Sequence, residues 1–261
     1  MTLTALVLLL IGLIAGVLAG LFGIGGGLVI VPALTALLVF QGIEAHVAVT
    51  IAVASSLASM LLTAVSAVWF HHRRGIVDWA AIVRIAPAMT IGAALGAWAA
   101  MSVSGEIVAR VFALVAAVTG TRMILARATR VAARQPRPRL WWLAGPPIGA
   151  VSAMVGIGGG TFNVPWLARN GYEMVRAVAI ASACGWPIAL GGAAMFALAE
   201  TGPDMPEGML GFLWWPGAVV IGLGGLAAAP AGVALAHRLS STGLRRLFGV
   251  VLILVAVRMA W

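Results

Sequence analysis

Long apolar runs, separated by short clusters of arginine, glycine, proline or acid, follow one another from end to end of the chain. A helix needs about 20 predominantly apolar residues to cross the hydrocarbon core of a bilayer. Runs of about that length predict helices over 3–22, 44–70, 78–101 and 106–126, and again over 173–199, 209–236 and 242–260. A shorter run, 141–155, ends as 3–22 does, in a cluster of glycines. A brief proline-containing segment follows each cluster, at 28–40 and 161–168.

The pattern is written twice. Gly23-Ile24-Gly25-Gly26-Gly27 returns as Gly156-Ile157-Gly158-Gly159-Gly160, and Val31-Pro32 and Leu34 return as Val164-Pro165 and Leu167. After a small difference in loop length Glu44 answers Glu173, Ala48-Val49 answers Ala177-Val178, and Ile51-Ala52 answers Ile180-Ala181. Trp79, Gly96, Arg110 and Arg122-Met123 then match Trp215, Gly232, Arg246 and Arg258-Met259 in one register. The chain divides into a first membrane repeat (1–126), a basic linker (127–140) stiffened by Pro136 and Pro138, and a second repeat (141–261).

Composition removes the soluble alternatives. Hydrophobic residues make up 62% of the chain and charged ones 9%, with a mean hydropathy of +1.10, whereas a soluble domain carries about a quarter charged residues. The single Cys184 rules out an intramolecular disulfide or a cysteine-cluster metal site. The net charge of +9 comes from arginines in short segments between the runs, the pattern of cytoplasmic loops on an inserted protein. The expected partner is therefore the lipid bilayer, with no nucleic acid and no cofactor. No nucleophile, base and acid, nor any metal cluster, falls at membrane depth, so a membrane enzyme is disfavoured.

Short arginine-rich loops stay in the cytoplasm. That puts the linker, His71-His72-Arg73-Arg74, Arg169 and the His237 to Arg246 loop inside, and the acidic loop from Glu200 through Asp204 to Glu207 outside. Matching loops then lie on opposite faces, Val103-Ser104-Gly105 outside and Leu239-Ser240-Ser241 inside. This predicts an all-α polytopic membrane protein of two inverted-topology repeats, each a glycine-broken (re-entrant or bent) helix pair plus three transmembrane helices. Both termini come out outside. The first run lacks a basic leader and reads as a retained membrane segment.

Irregular backbone at membrane depth is tolerated only where it is buried in protein or lines a cavity. The first N–H groups of the segments starting at Leu28 and Thr161 are unpaired and carry the positive end of a helix dipole, which suits an anion. Two such ends, brought from opposite faces, predict a midplane anion site built from Gly25, Gly26 and Gly27 with Gly158, Gly159 and Gly160. Close helix packing is the competing use of the glycines, and the repetition of the run favours the site. Thr161 and Asn163 follow the second run, and Ser55 and Cys184, aligned with each other, are the residues of the third segments taken as lining. Ser59, Thr63 and Ser66 continue a hydroxyl stripe suited to helix packing, and Ser182 lies on the matching segment.

Arg84, Arg110, Arg122 and Arg176 lie near segment ends and are expected to snorkel. Glu44 and Glu173 are expected as helix N-terminal charges, and His71-His72 as a solvated loop pair. No Asp or Glu falls mid-segment, which disfavours a buried carboxylate relay.

At Gly23 to Pro32 and Gly156 to Pro165, set in two apolar halves joined by a basic linker, the chain resembles the TauE/SafE family of sulfite and organosulfonate exporters. The resemblance covers nearly the whole chain. It implies a protein of the bacterial cytoplasmic (inner) membrane that exports sulfite or a sulfonate, its motif falling on Gly25 to Gly27 and Gly158 to Gly160. A secondary transporter working by alternating access is the expectation. Other small anions, a channel and an assembly subunit stay open, as does the oligomeric state, a homodimer included.

Overall fold

Ten helices hold nearly all of the described residues, 2–22, 25–125, 139–201, 207–236 and 241–260, in the computed structural model. They are α1 (Thr2–Phe22), α2 (Gly27–Phe40), α3 (Ala45–Arg73), α4 (Trp79–Met101), α5 (Gly105–Leu125), α6 (Arg139–Val155), α7 (Gly160–Arg169), α8 (Met174–Ala197), α9 (Trp215–Ala236) and α10 (Ser241–Ala260). Six of them, α1, α3, α4, α5, α8 and α9, are long and apolar enough to cross a bilayer. With a rise of 1.5 Å per residue, the 14 residues of α2 and 10 of α7 reach only about 21 and 15 Å, short of the ~30 Å core. The expected linker from 127 to 138, Gly23, Ile24, Asp204, and 237–240 lie outside the described residues.

Helix starts reproduce the register read in the sequence. Gly27 and Gly160, Ala45 and Met174, Trp79 and Trp215, and Gly105 and Ser241 are counterparts, and each pair begins matching helices. Glu44 and Glu173 precede α3 and α8 with nearly the same backbone angles, φ −57°, ψ 136° and φ −58°, ψ 146°. Neither carboxylate accepts a capping hydrogen bond; Glu44 instead pairs with His46 at 3.3 Å.

The first helix of each half packs on the fourth helix of the other, α1 along α9 and α6 along α4. Small residues let the backbones touch. A β-carbon on Gly16 would strike Gly225, and one on Gly232 would strike Val17; at the counterpart positions, Gly149 meets Met89 and Gly96 meets Ala150. Along α1, Gly12, Gly16 and Gly20 meet Ile221, Gly225 and Ala229 in that order, so α1 and α9 run parallel. The counterparts α3 and α8 run antiparallel, Ala64 facing Gly185 and Leu57 facing Gly192. Both are the most buried of the six long helices. Around the rim, Leu6, Val83, Leu95, Leu114 and Leu254 point outward, a surface that suits lipid rather than water.

Two departures from the expected pattern stand out. The run 209–236 is not all helix: Met209–Leu210 (β1) and Leu213–Trp214 (β2) form a two-residue-loop hairpin, and α9 begins at Trp215. Gly211 turns the hairpin at φ 57°, where glycine avoids the steric penalty of a left-handed backbone. The two histidines also separate. Both lie in the last turn of α3; His71 is buried, 5% exposed, whereas His72 is exposed and accepts a 3.1 Å hydrogen bond from the Trp79 indole. The solvated-pair expectation thus holds for His72 alone, because α3 runs on three residues past its expected end and carries His71 inward.

Candidate functional site

The two glycine runs meet. A β-carbon on Gly25 would lie 2.8 Å from the Gly158 α-carbon, and one on Gly27 would strike the Gly156 carbonyl. Gly25 and Gly26 hold φ 79° and 78°, a region L side chains rarely adopt. The Ser56 hydroxyl donates to the Gly156 carbonyl at 2.9 Å, tying the second run to α3 of the first half.

Each run ends in a helix start of the same form. The Gly26 carbonyl accepts from the Val29 and Ile30 N–H groups, and the Gly159 carbonyl accepts from those of Phe162 and Asn163. Among the described residues, the N–H groups of Gly27, Leu28, Gly160 and Thr161 have no hydrogen-bond acceptor. These are the leading donors of two half-length helices, where the dipole favours negative charge.

Beside the crossing is a cavity of about 20 Å³, room for roughly one water molecule. Gly25, Gly158 and Gly159 line it together with Met60, Thr63 and Ser182 and small residues of α1, α3 and α8. The Thr63 hydroxyl donates to the Met60 carbonyl at 3.3 Å, and Ser59 donates to Ser56 of the same helix at 2.8 Å. Ser59 and Thr63 therefore bond the backbone of their own helix, whereas Ser56 ties α3 to the second glycine run. Ser182 is different: it is 7% exposed and its hydroxyl has no partner among the described residues.

Of the ten residues read from the sequence as substrate-binding, the structure gathers the six glycines, with Thr161 and Asn163, at the crossing. Gly25, Gly158 and Gly159 reach the cavity wall. Thr161 is 8% exposed with an unpartnered hydroxyl. Asn163 is 1% exposed; its amide nitrogen is 3.7 Å from the Met89 sulfur and its amide oxygen has no partner. Ser55 and Cys184 are fully buried and do not line the cavity. Ser55 accepts from the Trp214 N–H of β2 at 3.0 Å.

The hairpin packs on α3 and α8. Ser55 lies ten residues into α3, about 15 Å from its start, so β2 reaches well down that helix. The Phe196 carbonyl accepts from Phe212 N–H at 3.1 Å, and the Phe196 ring is fully buried. Phe196 is the counterpart of Ala67, which lines the cavity. In the repeat register, then, a small cavity-lining residue in the first half answers a fully buried phenylalanine bound through its carbonyl to the hairpin in the second.

On the loop between α7 and α8, burial pushes the Tyr172 hydroxyl up to about 12; Asp78 adds to the rise, and Arg84 and Arg176 oppose it. Folding thus favours the neutral phenol. The folded value lies above the ordinary 10, so this contribution is fully present below pH 10 and is lost as pH rises from 10 towards 12. Tyr172 is the only tyrosine in the chain, so a tyrosinate absorbance titration should show one transition near pH 12 in folded protein and near 10 after unfolding.

Ten helices, two of them glycine-started half-helices that meet beside an internal cavity, and an apolar rim define a multi-pass membrane protein. The family description "Sulfite exporter TauE/SafE" matches residues 8–259, and the chain belongs to that family. A Haemophilus influenzae "probable membrane transporter protein" is 32% identical over 97% of each chain. One of the same name from Xylella fastidiosa is 30% identical over 96% of this chain and 92% of its own. One from Methanocaldococcus jannaschii is 25% identical over 91% and 88%. No solved structure matches the chain.

Proposed function

We propose that the protein is a secondary transporter that exports a small sulfur-containing anion, sulfite or an organosulfonate, across the bacterial cytoplasmic membrane by alternating access. The observation that carries the reading is the contact of Gly25 with Gly158, which brings the starts of two half-helices together beside a cavity that both glycine runs line. Gly25 to Gly27 and Gly158 to Gly160 hold the anion through backbone amides, with Thr161 and Asn163 beside them. Ser55 and Cys184, behind this shell, would act only through the packing of α3 and α8. No mid-helix carboxylate is asked to carry a proton.

The antiparallel packing of the counterparts α3 and α8, and the paired exchange of α1 and α6, support two inverted repeats related by an axis near the glycine crossing. With the arginine loops inside, the cavity faces the cytoplasm and Phe196 with the hairpin closes the outer path. Release outward would then require the hairpin to leave Ser55 and Phe196 while the inner cavity closes. The name and family of the relatives support transport as the activity.

Uptake of radiolabelled sulfite into inside-out vesicles, with taurine, sulfoacetate and acetate as competitors, tests the reading. Saturable uptake inhibited by a sulfur anion and not by acetate is the expected result. Inhibition by acetate alone would transfer the site to carboxylates, and unsaturable flux would make the protein a channel.

A further inference from the structure

Four buried polar side chains with an unmatched atom surround the second glycine run: Ser152, Thr161, Asn163 and Ser182. In the repeat register their first-half counterparts are Ala19, Leu28, Ile30 and Val53, all buried and all apolar. Thr35, which also has an unmatched hydroxyl, lies two turns along α2 from its glycines. The backbone of the site is duplicated, but its side-chain polarity is not.

An unmatched buried hydroxyl costs about 1–3 kcal/mol, and three of them on one side of a duplicated site, those of Ser152, Thr161 and Ser182, call for an acceptor such as an anion. Ser182 is the one with a direct line to it. Its side chain is more than nine-tenths buried, its hydroxyl is unpartnered, and it lines the cavity beside Gly158 and Gly159. On the opposite wall Met60, Ala64 and Ala67 present only carbon and sulfur side-chain atoms, and the one hydroxyl there, that of Thr63, is spent on Met60.

We propose that recognition is one-sided: Ser182, backed by the Thr161 hydroxyl, supplies the side-chain hydrogen bonds that select the anion, while the first repeat offers backbone amides and an apolar wall. This rests on the anion-site reading above. The second repeat then sets specificity, and the first is the partner against which the substrate is released.

The repeat itself supplies the variants. Ser182→Val installs the residue that the fold already accepts at position 53, and Val53→Ser makes the reciprocal change. Uptake by inside-out vesicles is measured for sulfite, taurine, sulfoacetate and acetate, with protein abundance matched. A hydrogen bond to a charged ligand is worth roughly a 10- to 100-fold change in affinity. Ser182→Val should therefore raise KM about 10-fold or more for the preferred anion, with kcat changed little. Ser182→Thr should restore it, and Val53→Ser should leave KM within about two-fold.

A KM unchanged in Ser182→Val, or equal rises in Ser182→Val and Val53→Ser, overturns one-sided recognition. If Ser182→Val is silent while Gly159→Val abolishes uptake, the glycine site stands and only this inference fails. If wild-type protein takes up none of the four anions, the anion reading fails and this inference with it.

Discussion

Valine at Gly159 combined with valine at Gly26 should abolish anion transport while leaving the protein in the membrane. At Gly159 an added β-carbon would strike the Asn163 amide nitrogen and lie 2.8 Å from the Ile188 side chain, so the new side chain must displace Asn163. At Gly26 the backbone sits at φ 78°, a left-handed conformation that costs a side-chain-bearing residue about 1–2 kcal/mol. Its β-carbon would also press on Ala15 at 3.1 Å. Both valines lie immediately before the leading amides of the half-helices and would shield them from an anion. Loss of one preorganised donor from an anion-stabilising site typically costs about 10²-fold in rate. The double variant should lose at least that in uptake, against wild type at equal abundance. Thermal denaturation separates lost transport from lost fold, since the strain at each site is local. Intact uptake in correctly inserted double variant would place the anion elsewhere.

What the sequence made legible depended on which physical signal each feature carried. Transmembrane helices and the repeat were visible because length, apolarity and register all act along the chain; every matched helix start but the first falls on counterpart positions. The hairpin at 209–214 was hidden because its residues are as apolar as a helix, and only Gly208 and Gly211, at φ 81° and 57°, mark it. His71 was misplaced for a related reason, since a charged tetrad reads as a loop while its first member sits on the inward side of α3. The glycine crossing was legible because irregular backbone in a membrane needs burial or a cavity. The hydroxyls were not. Ser55 and Ser182 have the same chemistry, and only tertiary contacts show that one is engaged by Trp214 while the other is unpartnered on the cavity wall.

The exchange of first helices between the halves makes a second strong prediction, one about assembly. Gly96 and Gly232 are counterparts, and a β-carbon at either would strike a backbone carbonyl, that of Ala150 or Val17. Neither carbonyl can rotate away as a side chain would, so valine must push α6 off α4 or α1 off α9. Overpacking at close contacts costs about 1–3 kcal/mol or more, and inside a bilayer no hydrophobic gain offsets lost packing. Each single valine should lower the thermal midpoint of the purified protein markedly, with similar size at the two sites because the contact is the same contact. Each half also depends on a helix from the other for this packing, so neither half expressed alone should fold stably. Coexpressed halves should associate and recover transport. A stable Gly232→Val protein beside an unstable Gly96→Val protein would mean that the two interfaces share register but not energetics, with α1 an accessory rather than a structural exchange.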